Sequence, residues 1–240
     1  EGGDSGWRVG WQFLEQPRPR GAWISERLCY EEFPGRAAYA LPPVSSKVSN
    51  GPSGLACDPG VGLPPEWRGR FFLANFSGNP NSGVYAFKVR PKGAGFELER
   101  NDRFWWNFLP TDVDFGYDGC LYATDWINGW PGTGKGRLYR LYEPTERNQP
   151  AVAGLKQLIA GGFDSLSTAV LGKLLAHQDR RVRQEAQFAL VARQAIAELY
   201  VTALRGATLP ARLHAIWGLG QLDRRGVRTD FKELLADSQA

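Results

Sequence analysis

The chain has 240 residues, 42% of them hydrophobic and 22% charged, with a net charge of +4 and a pI near 9.0. That length and balance describe a globular chain able to bury one large core or two modest ones. With no run of five basic residues and no aromatic-basic stripe, nucleic acid is not an expected partner, and no apolar stretch approaches the ~18 residues that a membrane span needs.

Composition shifts along the chain. Eight of the nine Trp lie before residue 131, with most of the Gly and Pro, whereas Ala, Leu and Arg dominate later. The expected organisation is a β-rich part over 1–143, a polar linker bracketed by prolines over 144–150, and helical repeats, incomplete at their end, over 151–240. The start at Glu1 and the absence of Met read as a piece of a longer polypeptide, and no leader pattern occurs within it.

Short apolar runs at 51–58, 71–76 and 83–87 read as the first three strands. A second set follows at 109–115, 121–126 and 137–141. Its first two members flank Asp118-Gly119, a strong hairpin signal, and positive φ is expected at both of those residues. The stretch 127–136 is too rich in Gly for a regular element. Asn75 and Phe76 align with Asp125 and Trp126 at a spacing of 50 residues. A period near 50, built from short strands, predicts the blades of a partial β-propeller.

From Ala151 the apolar period becomes that of a helix, through Leu155, Leu158 and Ile159 and then Leu166, Val170, Leu171, Leu174 and Leu175. Asp179 is placed to cap a helix, with Val182 and Arg183 following, the pattern of a HEAT-like repeat. Arg183 and Arg212, Ala186 and Ala215, and Leu190 and Leu219 are each 29 residues apart, and Leu175, Leu204 and Leu235 recur at similar spacing. Stacked helix pairs forming an all-α HEAT-like solenoid are therefore expected after the sheets. Arg180, Arg181, Arg183 and Arg193 read as a solvated face.

Cys29, Cys57 and Cys120 make no Cys-x-x-Cys or Cys-x-x-Cys-His pattern, so no zinc knuckle or covalent haem attachment is encoded here. Cys57 and Cys120 read as buried small groups, and Cys29 as a thiol or a half-cystine. His177 and His214 have no second ligand at helical spacing and read as surface or packing residues; no metal site is expected. The chemistry-bearing residues gather around the last strands: Asp112 and Asp114 on one, Asp125 and Trp126 leaving the next, and Trp130, Lys135 and Arg137 in or after the Gly-rich loop. Carboxylates accept hydroxyl protons, indoles stack and cations neutralise charge, which suits an anionic aromatic cofactor or a sugar or polyol. The alternative is structural, with the aspartates capping turns and the tryptophans packing.

The run 110–126, with Gly129, Trp130, Gly132, Lys135, Gly136, Arg137 and Tyr139, resembles the PVC-type haem-binding, membrane-bound dehydrogenase-like proteins. So do the opening 1–8, Gly51 to Leu55, and the helix holding Val182, Arg183, Gln184, Glu185 and Ala186. The resemblance implies a six-bladed propeller like that of soluble quinoprotein glucose and sorbosone dehydrogenases, pyrroloquinoline quinone and calcium as cofactors, and haem c in a further module. It also implies a periplasmic or extracellular location and oxidation of a sugar or alcohol with electrons passing to quinone and haem. Two alternatives stand beside it: a non-catalytic carbohydrate- or protein-binding propeller with a helical interaction scaffold, and a calcium-assisted lactonase. This stretch alone is expected to be inactive.

Overall fold

The computed structural model describes residues 51–93, 95–129 and 131–235, together with Val44, Val48 and Ser49. Cys29 and Trp130 lie outside the described residues.

Strands β1 (Pro52–Cys57), β2 (Phe71–Asn75), β3 (Gly83–Lys92) and β4 (Gly95–Trp106) form one antiparallel sheet in chain order. The register sets Ala56 opposite Phe72 and Phe72 opposite Ala86, so small and large side chains alternate across one buried face. On the other face the directly paired Phe71 and Phe87 stack at 5.2 Å. The β3–β4 hairpin is held by ion pairs, Lys88 to Glu99 at 3.6 Å and Arg90 to Glu97 at 2.6 Å, charges that also discourage edge-to-edge pairing with another sheet.

Strands β5 (Pro110–Phe115), β6 (Leu121–Asp125) and β7 (Arg137–Leu141) form a second sheet in chain order. In the turn between β5 and β6 only Gly119 has positive φ, at +75°, which corrects the expectation for Asp118. Gly116 N–H reaches Cys120 O at 2.9 Å around the three loop residues, the geometry in which a single left-handed glycine suffices. The aligned residues Phe76 and Trp126 make corresponding bonds, Phe76 N–H to Gly51 O at 2.7 Å and Trp126 N–H to Leu109 O at 2.9 Å, although the two acceptors are 58 residues apart.

The expected propeller followed by a HEAT-like solenoid is nevertheless not the fold. The described strands make two small open sheets, of four and three strands, and they do not close into a ring. Turn and alternation signals specify which neighbours pair and carry no information about closure, so the repeat was legible while the propeller was an over-extension of it.

Seven helices follow among the described residues: α1 (Pro144–Arg147), α2 (Pro150–Gly161), α3 (Thr168–Leu174), α4 (Arg180–Ala192), α5 (Ile196–Arg205), α6 (Leu209–Arg224) and α7 (Lys232–Leu235). Helix α3 packs on α4 and α5, and α6 packs on α4 and α5. Their core holds Leu171, Leu175, Val182, Ala186, Leu190, Leu199, Ala215 and Leu219. Caps recur with the spacing: Asp179 accepts from Arg181 N–H, and Thr208, 29 residues on, accepts from Ala211 N–H. The spacing does not extend to Leu235, which is exposed; Leu234 takes the buried position.

The chain divides into two compact units. Among the described residues, one comprises 51–57, 69–114 and 123–139; the other comprises 58–68, 115–122 and 140–235. In the second unit the backbone of Gly62, at φ +92°, comes so close to Gly119 that a Cβ on Gly62 would lie 2.5 Å from Gly119 O. Glycine is required there by both dihedral angle and space.

Candidate functional site

Of the residues nominated around β5–β7, Asp125 and Trp126 are engaged within the sheets, whereas Asp112, Asp114, Lys135 and Arg137 are exposed. Asp125 is buried, and its Oδ1 accepts Leu109 N–H at 2.9 Å, tying the end of β6 to the residue before β5. The Trp126 ring stacks on Phe76 at 5.6 Å. Asp112 and Asp114 are exposed; Asp112 accepts from Val113 N–H at 2.8 Å, and its backbone lies against Gly54. Lys135 is exposed on its loop. Arg137 is exposed too, and its bond to the Tyr139 hydroxyl, 3.1 Å long, pushes the guanidinium above its ordinary value, with Asp125 adding a smaller pull.

Among the described residues these side chains form no ready-made cage for the quinone and calcium that the resemblance implies. The one buried carboxylate among them is used by a backbone amide, and the described residues hold no cluster of three or more His, Cys, Asp or Glu able to ligate a metal. Near the turn, Asp118 accepts the Tyr122 hydroxyl at 3.0 Å, and burial pushes the adjacent Cys120 thiol up, the mark of a packed rather than a reactive group.

A different cluster emerges on the helical unit. Helix α4 presents Arg180, Gln184, Gln187 and Phe188 at successive turns, with Arg183 alongside, and α6 presents His214, Trp217, Gln221 and Arg224. Together they line a groove of about 490 Å³, within the ~300–1,000 Å³ usual for ligand clefts. Three guanidinium groups and no carboxylate line it. A neighbouring cleft of about 200 Å³ contains a single cation, Arg68, already paired with Glu146 at 3.0 Å.

Some polar atoms of its lining residues are shut off from solvent. Buried Nε atoms of Arg180 and Arg183 and the buried Oε1 of Gln221 have no partner. Arg147 Nε, outside the groove, is in the same position. Arg183 spends its Nη1 on His177 O at 2.7 Å and Gln178 O at 2.9 Å. Burial pushes its guanidinium down, with Arg180 adding to that effect.

His214 is buried beside these groups, and burial with the Arg183 charge pushes its pKa down to about 4. It is neutral at pH 7. Its Nδ1, 2.7 Å from Gln187 Oε1, therefore carries the proton and donates. The Trp217 indole meets the imidazole edge-on at 5.0 Å.

Sequence reasoning placed Arg180, Arg181, Arg183 and Arg193 on a solvated face. Instead Arg193 donates to Phe163 O at 3.1 Å and Asp164 O at 2.8 Å, and Arg181 grips the Asp179 carboxylate through Nε at 3.1 Å and Nη2 at 2.7 Å. The 29-residue offset that aligns α4 with α6 was the available signal, because it sets corresponding faces of two helices side by side.

Fold and site thus define a chain of two open antiparallel sheets followed by packed helices, with an arginine-lined groove on the helices. No family model, curated protein or solved structure matches it. The resemblance drawn from the motifs stands as a proposal only.

Proposed function

We propose that this chain is a non-catalytic binding protein whose helical unit docks a protein partner along α6. The observation that carries the reading is an apolar stripe left in solvent on that helix. Leu209, Leu213 and Trp217 recur at four-residue steps and are 53%, 36% and 52% exposed, with Phe188 of α4 42% exposed. Helix α6 already buries Ala211, Ala215, Gly218, Leu219 and Leu222 on its core side. A second apolar face on the same helix adds nothing to the core and is costly in water unless something covers it.

The test is site-specific photocrosslinking in the native host, with the crosslinker at Leu213 or Trp217 and a control at Val201, an exposed position on α5. Discrete protein adducts at the α6 positions, absent from Val201, are expected. No adducts at any position, together with a positive glycan array, would replace this reading with a carbohydrate-binding one. Sugar or alcohol oxidation, as implied by the motif resemblance, is the second proposal. Its test is quinone- and calcium-dependent dye reduction by the full-length protein.

A further inference from the structure

We infer that the partner on this face is a second copy of the chain, docked about a twofold axis running along α4, with Trp217 of each copy seated in the other's cleft between α2 and α4 and the carboxylates of each set against the other's arginines. This rests on the reading of the helical unit as a partner-binding scaffold and identifies the partner.

Helix α4 carries opposite charge on its two flanks. On one flank lies the groove shared with α6, lined by Arg180, Arg183 and Arg224 and by no carboxylate. On the other a cleft of about 450 Å³ opens toward the end of α2, with Asp164 and Glu185 and no cation among its lining residues. Phe188, 42% exposed, belongs to both and forms the ridge between them. The guanidinium groups nearest the cleft are turned to other uses: Arg193 donates to Phe163 O and Asp164 O, and Arg181 holds the Asp179 carboxylate.

The flanks also differ in shape. Trp217 stands out beside the groove, 52% exposed, whereas the cleft is hollow and has an apolar wall made by Ile159, Phe163, Ala189 and Ala192. The knob and the hollow lie at the same height along α4. His214, one helical turn before Trp217, is bonded to Gln187, and Phe188 and Ala189 follow Gln187 directly.

A positive surface alone suits any anion, and an acidic one any cation. A partner covering both flanks needs an acidic hollow opposite the arginines and a basic flank with an aromatic knob opposite the carboxylates, joined across a single ridge. This chain displays that surface itself. A twofold rotation about an axis along α4 exchanges the flanks, so each contact forms twice and identically, the isologous arrangement of the commonest homo-oligomers. An indole entering an apolar hollow is the kind of aromatic anchor that dominates interfaces, and rims of opposite sign fix its register.

The test is sedimentation equilibrium of the full chain with a charge-exchange pair. The unaltered protein is expected to reach twice the chain mass in the micromolar range and to dissociate as salt is added. Glu185→Arg and Arg180→Glu are each expected to weaken dimerisation at least tenfold, because like charges then oppose each other in both contacts. Mixed in equal amounts, the two variants are expected to pair about as tightly as the unaltered chain, since both contacts of the mixed dimer again join opposite charges. A mixture that fails to associate overturns the inference, as does a dimer that neither reversal weakens. Trp217→Ala covers the case in which a reversal does not fold: it is expected to weaken the dimer at least tenfold, and an unchanged dimer overturns the inference. A chain that stays monomeric up to millimolar concentration overturns it too. Crosslinks from Leu213 to other proteins would then leave the scaffold reading standing, and no crosslinks would remove both.

Discussion

Replacing Arg181 with Met is expected to destabilise the protein by about 4 kcal/mol. Asp179 is completely buried, and the Arg181 side chain that neutralises it is only 13% exposed. The guanidinium makes two bonds to that carboxylate, at 3.1 and 2.7 Å, and its Nη1 donates to Phe115 O at 2.8 Å and Gly116 O at 3.2 Å. Methionine fills much the same volume and leaves the carboxylate its backbone N–H bond but no counter-charge, and breaking a buried ion pair in this way costs about 3–5 kcal/mol. Loss of the contact between the guanidinium and the Tyr117 ring, 4.5 Å from its centroid, adds about 0.5–1 kcal/mol. The measurement is urea unfolding followed by helical circular dichroism, in a cycle with Asp179→Asn. Asparagine retains the capping oxygen without the charge, so Arg181→Met in that background is expected to cost only about 2 kcal/mol. Additive effects in the cycle, or an Arg181→Met cost below about 1 kcal/mol, would refute the claim that the pair neutralises a buried charge.

Further expectations follow from single contacts. Gly62→Ala should cost about 3 kcal/mol in urea unfolding, since the new Cβ would meet the Gly119 backbone and the residue sits at φ +92°; a loss within error would show that the two loops can part. His214 stays neutral in the folded protein down to about pH 4, whereas an unfolded histidine protonates near pH 6.5. The unfolded chain therefore binds the extra proton between those values, and stability should fall by about 3 kcal/mol as pH drops from 6.5 to 4. Unfolding curves across that range should flatten in His214→Gln, and an unchanged slope would contradict the assignment. Asp125→Ala should cost about 1–3 kcal/mol by orphaning Leu109 N–H, while Lys135→Ala should change stability by less than about 0.5 kcal/mol. Thermal melts of the two variants distinguish a structural carboxylate from a ligand-binding pair.

Strands β1, β2, the first half of β3, β5, β6 and β7 are readable because short apolar runs are bounded by turn residues, as at Asp118-Gly119. Strand β4 is not. Glu97, Glu99, Arg100, Asp102 and Arg103 hide its alternation, and it is held by cross-strand charge pairs such as Arg90 with Glu97, which only become visible once β3 lies beside it. Asp179 was legible as a cap because the requirement is local. Its second role, as a buried anion gripped by Arg181, was not, because burial depends on residues far away in the chain. Asp125 illustrates the opposite error. A carboxylate at a strand end invites a ligand, yet an unpaired amide 16 residues earlier uses it first. The groove escaped notice for a similar reason: Gln187 and His214 are 27 residues apart and meet only through helix packing.

The second unit is woven from three separate stretches of chain, and this constrains how it can be made and cut. Arg180 N–H donates to Pro59 O at 2.8 Å, and Arg181 reaches Phe115 and Gly116. A polypeptide beginning at Arg140 would carry every helix and lack these acceptors, so trimming at the apparent joint in composition strands the first turn of α4. The start of α4 is therefore completed only by long-range contacts, and closing those long loops should make folding of this unit slower than its helical content suggests.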